Sequence, residues 1–416
     1  MKPPATRRGF LRAATLGGLG ATTVPWRGLP ESRGRPVLAR NSRARVLNRE
    51  AVEDILVGCS YLGCGGGGRL SEGFARLEDD WKARRRFELL SVADLGDDEW
   101  AASPYGLGST APQSEAERAR FADLPRTGED AVEASFRLLG AHLRRPLVAV
   151  IAGELGPWST AAALSTAARL GIPTLDADRV GRATPEATQD SILVAGLSTV
   201  PLAAVTGFGD SLILERVARG SRVEDLLRAI SVASLGELGV TDAALPGRAA
   251  KRPGTLVTGS LTYAGRLGKA NRRAVADHGD PLAAVVEEGG GFRLFEGEVV
   301  DSTWKEDAGF LVGEVSIDGR GAFRGSRYRV WYKNENIIAW QDGSVSVTPP
   351  DLIVIADTRT GNAVANPDFE RGQAVSIVGF PAPALWRTPA GLQVFGPAHF
   401  GFDVPYVPIE RRRPRT

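Results

Sequence analysis

Carboxylates follow two predicted strands in the middle of the chain. Glu154 comes shortly after the apolar segment 146–152, and Asp176 and Asp178 follow the apolar segment 172–175. A predicted helix joins the two segments, so they form a βαβ unit with neighbouring strands. Ligands of an open α/β sheet bind outside the carboxyl ends of its strands. The pattern therefore predicts that the three carboxylates converge in one cleft.

Carboxylates that share a cleft repel one another, and a proton, a cation or an arginine must compensate for this. Arg182 is the candidate arginine, and a divalent metal ion bound by Glu154, Asp176 and Asp178 is one candidate cofactor. The competing interpretation is structural. In it, Asp176 caps the following helix and Asp178 pairs with an arginine.

A glycine-rich loop at 63–68 follows a helix predicted to begin after Asn48. Exposed backbone amides at Gly65, Gly66 and Gly67 suit an anion or a planar carbonyl compound. The loop lacks the lysine of a Walker A motif, and no strand precedes it as in a dinucleotide-binding fingerprint. A ligand-binding loop and a plain flexible turn both remain open.

Cysteine and histidine are scarce, and none of them has zinc-finger spacing. Cys64, within the glycine loop, is expected to be exposed and is the candidate nucleophile of a covalent route. Cys59 is expected to pack in the core. His142 is expected on a helix surface and His399 in a structural position. The chain also lacks the Gly-x-Ser-x-Gly and His-Glu-x-x-His motifs of serine hydrolases and zincins.

A second polar group lies in a region of alternating hydrophobicity. After the glycines at 289–291, short alternating segments separated by turns predict an all-β sandwich or barrel. Asn334, Glu335 and Asn336 stand between two of these segments. They are candidates for hydrogen bonding an amide-like substrate, and a polar hairpin turn is the alternative.

The elements that position these residues predict two folded domains. The first is an α/β domain with a mainly parallel sheet flanked by helices, and the second is the all-β domain. Within the first, residues 95–127 are expected to form an irregular loop, and Ser159 is expected to cap the helix 160–170. The predicted segments are a signal peptide at 1–28, a linker at 29–47, an α/β catalytic domain at 48–290, an all-β domain at 291–403 and a basic tail at 404–416.

The N-terminus carries adjacent arginines, Arg7 and Arg8, then Phe10, Leu11 and a weakly apolar stretch rich in glycine and alanine. This order is typical of a twin-arginine export signal. The stretch is too short and too rich in glycine to span a membrane stably. We therefore expect the protein to engage the twin-arginine translocase and to be exported to the periplasm, the cell surface or the medium.

The charge distribution argues against nucleic-acid binding. Of 51 basic and 49 acidic residues, ten basic but one acidic residue lie in 1–48, so the remaining chain has 41 basic and 48 acidic residues. A nucleic-acid-binding fold needs a basic surface, and this balance offers no excess for one. The expected partner is a small-molecule substrate, and a homo-oligomer is compatible with the sequence.

Six motifs between about residue 49 and residue 403 together resemble the S-methyl-thiohydantoin desulfurase-like family. The motifs are Leu62-Gly63-Cys64-Gly65-Gly66-Gly67-Gly68, Gly153-Glu154, Asp176-Ala177-Asp178-x-x-Gly181-Arg182-x-x-Pro185-Glu186, Asn334-Glu335-Asn336, Pro350-Asp351-Leu352-Ile353, and Trp386-Arg387-Thr388-Pro389 with Gly396-Pro397. The resemblance implies an α/β domain, a β domain and removal of methanethiol from an S-methylated thiohydantoin ring. The candidate catalytic residues are Glu154, Asp176, Asp178, Arg182 and Cys64. The candidate substrate-binding residues are Gly65, Gly66, Gly67, Glu186, Asn334, Glu335 and Asn336.

The chain departs from the family pattern at two places. Arg69-Leu70 stand where an acidic residue and proline are common, and Pro157-Trp158 stand where glycine and asparagine are common. The expected reaction is hydrolytic displacement, in which Asp178 or Glu154 activates water and a second acid protonates a ring nitrogen. Two alternatives stay open: a cyclic amidohydrolase that opens a hydantoin-like ring, and an exported protein that binds a small ligand without reacting.

Overall fold

The described part of the chain, residues 43–108 and 113–412 in a computed structural model, folds around two β-sheets. The predicted export signal at 1–28 and the predicted linker up to residue 42 lie outside the described residues. The last residues of that linker form a strand, Arg45–Leu47. No helix in the described ranges has the length and apolar character that crossing a bilayer requires.

Helices flank the first sheet. Its elements in chain order are β1 (Arg45–Leu47), α1 (Arg49–Leu62), α2 (Leu70–Lys82), β2 (Phe87–Leu90), β3 (Trp100–Leu107), α3 (Glu115–Ala119), α4 (Ala131–Leu143), β4 (Leu147–Ala152), α5 (Pro157–Leu170), β5 (Thr174–Asp178), α6 (Ser191–Val194), β6 (Leu202–Thr206), β7 (Ser211–Leu214), α7 (Arg222–Val232), β8 (Leu238–Pro246), α8 (Gly247–Ala250), β9 (Val257–Thr258), α9 (Ser260–Ala276) and α10 (Pro281–Gly289).

This first sheet has nine strands in the order β1-β2-β5-β4-β3-β8-β6-β7, with β9 paired to β5. The pairs β2–β5, β5–β4 and β4–β3 are parallel, and the other pairs are antiparallel. The predicted βαβ unit is therefore present as β4-α5-β5, within a mixed α/β sheet.

The expectation of an irregular loop over 95–127 is wrong, because β3 lies inside it and occupies a central position in the sheet. Its sequence, WAASPYGL, is rich in residues with low strand propensity, which concealed it. The helix α5 also begins earlier than expected. Gly156 is its N-cap and Pro157 its first residue, so Ser159 lies in the first turn and does not cap it.

The second sheet and its flanking helix consist of β10 (Phe292–Asp307), β11 (Phe310–Gly319), β12 (Arg327–Lys333), β13 (Glu335–Gln341), β14 (Ser344–Val347), β15 (Leu352–Asp357), β16 (Ala374–Phe380) and the helix α11 (Pro389–Phe395). This sheet is antiparallel and curls into a half-barrel, in the order β14-β13-β12-β11-β10-β16-β15. Alternate side chains such as Phe295, Val330 and Ile377 fill its core. Ile409, in the predicted basic tail, is part of that core, and residues beyond 412 lie outside the described ranges.

Candidate active site

A cavity of about 1020 Å³ lies where loops of the first sheet meet the second sheet. Its wall is formed by the glycine loop after α1, the segments after β4 and β5, the ends of β3 and β8, and the junction of β12 with β13. The wall includes the predicted residues Gly65, Gly67, Glu154, Glu186, Asn334 and Glu335. Among the predicted residues, Cys64, Gly66, Asp176, Asp178, Arg182 and Asn336 are not part of the wall.

Glu154 follows β4 and is held from two sides. Its Oε1 accepts a hydrogen bond from Ser159 Oγ at 2.7 Å, and its Oε2 accepts one from the Thr184 backbone N–H at 2.9 Å. Burial raises the pKa of Glu154 in spite of these two bonds, which favour the ionised form. The carboxyl group is therefore fixed in place and more basic than an exposed glutamate.

Glu335 begins β13 and is 2% exposed. Burial raises its pKa well above the ordinary value, and the charge of Glu154 raises it further. Its Oε2 has no hydrogen-bond partner in the described part of the chain. The carboxyl group packs directly on Gly66, where a Cβ atom would lie 1.9 Å from Glu335 Oε1. Gly66 therefore contributes to the site indirectly, because its lack of a side chain leaves room for the Glu335 carboxyl group.

Glu186 is also on the wall, but it is fully engaged. Lys333 Nζ donates to its Oε1 at 2.6 Å, and His399 Nε2 lies 2.9 Å from its Oε2. Burial alone would raise the pKa of Glu186, but the bonds from His399 and Lys333 outweigh burial and lower it to about 2. Glu186 is therefore ionised, and it links the segment after β5 to Lys333 and His399.

Other buried or half-buried carboxylates of the wall have arginine partners. Asp190 pairs with Arg179, and Asp130 pairs with Arg76. Glu154 and Glu335 are the buried or half-buried acidic residues of this wall for which the described residues supply no ion pair. Two carboxyl groups with raised pKa values and no ion-pair partner among the described residues are typical of acid–base chemistry.

Asp176 does not face the cavity. It lies within β5, and its carboxylate accepts hydrogen bonds from the Thr262 backbone N–H at 2.9 Å and from Thr262 Oγ1 at 2.6 Å. Thr262 is in the first turn of α9, whose free N–H groups need acceptors. Asp176 therefore caps α9 from the sheet, whereas the structural interpretation named the helix that follows Asp176, which is α6. The arginine partner that the same interpretation gave to Asp178 is also not found among the described residues.

Asp178 is the last residue of β5 and is completely buried. Its Oδ2 accepts from the backbone N–H groups of Val180 at 2.8 Å and Gly181 at 2.6 Å. Burial raises the pKa of Asp178 to about 7 despite these bonds. The expected convergence of three carboxylates in one cleft is wrong, because β5 extends through Asp178 and keeps Asp176 and Asp178 inside the sheet.

Arg182 connects the two sheets. It is fully buried, and its guanidinium donates to the backbone carbonyls of Ala183, Asn336, Pro350 and Asp351 at 2.9 to 3.3 Å. A guanidinium whose donors end on main-chain oxygens is not free to hold a substrate carbonyl. The structure therefore gives Arg182 a positioning role for the start of β13, where Glu335 lies.

Cys64 is buried, and the expectation of an exposed thiol is wrong. The loop folds inward because the Asn336 backbone N–H donates to the Cys64 carbonyl at 2.7 Å. Burial raises the pKa of the Cys64 thiol, which disfavours the reactive thiolate. Cys59 packs in the core as predicted, and His142 is exposed on α4 as predicted.

The carboxylates do not form a metal site. Within residues 43–108 and 113–412, no cluster of three or more His, Cys, Asp or Glu side chains has the arrangement that a metal ion needs. Glu154, Asp176 and Asp178 each accept from separate protein donors instead. Residues placed in this way do not fit the divalent cation considered from the sequence.

Asn366 is a wall residue that sequence reasoning missed. Its Nδ2 donates to the Asn334 carbonyl at 2.7 Å and to Asn336 Oδ1 at 3.2 Å, which fixes the orientation of the amide. Its Oδ1 has no partner among the described residues. The Asn366 backbone N–H also donates to the Gly65 carbonyl at 2.8 Å. A lone asparagine in the loop between β15 and β16 carries no pattern that could have indicated this role.

Comparisons with known proteins match two family models, and the boundary between them, at residues 216 to 218, falls within the first sheet and not between the two sheets. A family model described as S-Me-THD-like, N-terminal domain, matches residues 50–216, and one described as S-Me-THD-like, C-terminal domain, matches residues 218–409. A crystal structure of a protein from Chromobacterium violaceum is similar, with a TM-score of 0.68 and 22% identity over 88% of this chain and 100% of that chain. At that identity the similarity establishes the fold. No curated protein matches the sequence significantly.

Proposed function

The chain belongs to the S-Me-THD-like family, and from that premise we propose that it is a hydrolase that removes methanethiol from an S-methyl-thiohydantoin or a closely related ring. The observation that carries the proposal is the pair of carboxyl groups, Glu154 and Glu335, on one cavity wall without an ion-pair partner among the described residues.

The two groups suit opposite roles. Glu154 accepts two hydrogen bonds that favour its carboxylate, so it acts as the general base for a water molecule. Glu335 is buried more deeply, and its Oε2 accepts no hydrogen bond from the described residues, so it acts as the neutral acid. Since the negative charge of Glu154 also helps keep the proton on Glu335, each group supports the state that the other requires.

The reaction balances with these groups and one water. Water attacks the ring carbon between the two nitrogens while Glu154 takes one of its protons, and Glu335 protonates the adjacent ring nitrogen. The carbon–sulfur bond then breaks, Glu154 returns its proton to the leaving methanethiolate, and the hydroxyl proton restores Glu335. The products are methanethiol and the ring with a carbonyl at that carbon. No step needs a metal ion.

Asn366 and the glycine loop orient the ring. The fixed Asn366 amide leaves Oδ1 as an acceptor for a ring N–H group. Arg69 and Trp158, which stand at the two departures from the family pattern, both line the cavity. The substituents on the ring are therefore expected to differ from those of other members.

The test is incubation of the purified protein with an S-methyl-thiohydantoin, with free thiol measured by a colorimetric reagent and the ring product by mass spectrometry. We expect stoichiometric thiol and an intact ring. Glu154→Gln should lower kcat by about 10²–10⁴-fold, and the control Glu314→Gln, in β11 and paired with Arg329, should not. A ring-opened product would indicate the amidohydrolase alternative. Unchanged ligand after long incubation would indicate a binding protein.

A further inference from the structure

Arg76 lies on the cavity wall, and only one side of its guanidinium has a partner among the described residues. It belongs to α2, its side chain is 16% exposed, and its Nη1 forms an ion pair with Asp130. Its Nε and Nη2 have no hydrogen-bond partner in the described ranges. These two nitrogens form the side of the guanidinium that binds a carboxylate through two parallel hydrogen bonds. Leaving them buried and unpaired is costly, so a ligand group that satisfies them gains affinity.

The surrounding ion-pair network has an excess of positive charge. Asp130 is shared with Arg169 at 3.8 Å, and Arg169 also lies 2.9 Å from Asp80 and 4.0 Å from Glu133. The network then ends at two further arginines. Arg85 lies 3.1 Å from Asp80, and Arg137 lies 2.6 Å from Glu133. Its members are four arginines, Arg76, Arg85, Arg137 and Arg169, and three carboxylates, Asp80, Asp130 and Glu133.

Within this network, four cations face three anions, which leaves an excess of one positive charge. Among the four arginines, Arg76 is the member on the cavity wall. The unmatched charge and the unpaired edge of the guanidinium thus occur at the same side chain, although they are independent observations. Both point to an anion as the partner that this edge of the guanidinium lacks.

The size of the cavity allows a ligand larger than the ring. Cavities of about 300–1,000 Å³ accommodate drug-sized molecules, and this one measures about 1020 Å³. Glu335 and Asn366 come from the second sheet, whereas Arg76 comes from α2 beside the first. A ring held by the former therefore leaves room for a substituent that reaches the latter.

We propose that Arg76 forms a subsite for a carboxylate carried by a side chain of the substrate ring. The substrate class is then a hydantoin-like ring with an acidic substituent. The ring part of this inference rests on the proposed function, whereas the anion subsite rests on Arg76, its network and the cavity.

The test compares the binding of hydantoin-5-acetate and of its uncharged amide, hydantoin-5-acetamide, by isothermal titration calorimetry on the full protein. Because a charge-assisted bidentate contact replaces a neutral one, we expect the carboxylate to bind about ten- to a hundredfold more tightly. Arg76→Gln should bring this ratio close to one, mainly by weakening the binding of the carboxylate. Equal affinity of the wild-type protein for the two ligands would overturn the proposal.

Arg137→Gln is the matched control, since it removes one positive charge from the same network at a position 52% exposed and outside the wall. Arg137→Gln should keep the preference for the carboxylate. If Arg137→Gln also loses the preference, the effect of Arg76→Gln is one of general charge, and the subsite is refuted. Should Arg76→Gln fail to fold, Arg76→Lys keeps the charge beside Asp130 and should lose most of the preference with the forked geometry.

The two proposals fail in different ways. If neither ring compound binds, the proposed ring chemistry is wrong. The subsite is then tested by comparing the binding of glutarate and of glutaramide by ligand-observed nuclear magnetic resonance. Preference of the wild-type protein for glutarate, abolished by Arg76→Gln, would uphold the subsite without the ring. Absence of that preference would reject the subsite as well.

Discussion

Replacing Glu335 by glutamine tests whether this carboxyl group is a neutral acid. Glutamine keeps the shape of the side chain, which packs against Gly66, and it keeps a hydrogen-bond donor, but it cannot transfer a proton. Loss of a general acid lowers kcat by about 10²–10⁴-fold. We therefore expect Glu335→Gln to fold and bind ligand but to release thiol at least about a hundredfold more slowly.

The same substitution should change the pH dependence of stability. Burial raises the pKa of Glu335 well above its ordinary value, so the folded state holds this proton more tightly than the unfolded state does. The resulting stabilisation is complete below the unfolded pKa, about 4.3. It is lost at about 1.4 kcal/mol per pH unit as the pH rises from there to the folded pKa. Glutamine does not titrate, so the variant escapes this loss.

The assay is denaturant unfolding of both proteins at a series of pH values, together with kcat from thiol release. The free energy of unfolding of Glu335→Gln relative to wild type should increase from pH 4 towards neutral pH. Glu314→Gln, in the same sheet, is the control for the loss of an acidic residue and should show no such trend. Parallel pH curves for wild type and Glu335→Gln, or an undiminished kcat, would contradict the role of Glu335 as a neutral acid.

Three further predictions concern residues with other roles. The ionised form of Glu186 stabilises the fold, because its pKa is lowered to about 2; this contribution is present above about pH 4.5 and is lost as the pH falls towards 2. Glu186→Gln should therefore cost up to about 3 kcal/mol at pH 7 and flatten the acid limb of the stability curve, as measured by denaturant titration. Asp176→Ala should lower the free energy of unfolding by about 0.5–2 kcal/mol through the lost cap on α9 without lowering kcat; a large drop in kcat would return Asp176 to the catalytic group. Cys64→Ala should keep kcat, and native wild-type Cys64 should resist iodoacetamide in a mass-spectrometric assay; rapid alkylation would revive the covalent route.

The sequence could predict those parts of the fold whose signals are local. The unit β4-α5-β5 follows from an apolar run, a helical stripe and a second apolar run within a short stretch of chain. The strands of the second sheet follow from alternation with a period of two. β3 could not be predicted in this way, since Ala, Ser, Pro and Gly occupy five of its eight positions and its place is set by pairing with β4 and β8.

The composition of the site could not be predicted in full, because it depends on contacts between residues that are distant in the sequence. Glu154 was identifiable because it follows a strong strand signal, but whether Asp176 and Asp178 face the same cavity depends on where β5 ends, and end positions are the weakest element of such reasoning. Asn366 and Arg76 had no local signal at all. Arg76 reads as an ordinary surface residue of an amphipathic helix, and its unpaired edge becomes visible once Asp130 and the cavity are in place.

The proposed acid–base pair depends on the contact between the two sheets. Glu154 belongs to the first sheet and Glu335 to the second, and backbone hydrogen bonds from Asn336 to Cys64 and from Asn366 to Gly65 join the second sheet to the glycine loop. Any substitution that loosens this contact admits water to Glu335 and moves it away from the charge of Glu154. Both causes of its raised pKa then weaken together. Activity should therefore be lost before the protein unfolds, because the proton on Glu335 depends on the sheets being docked.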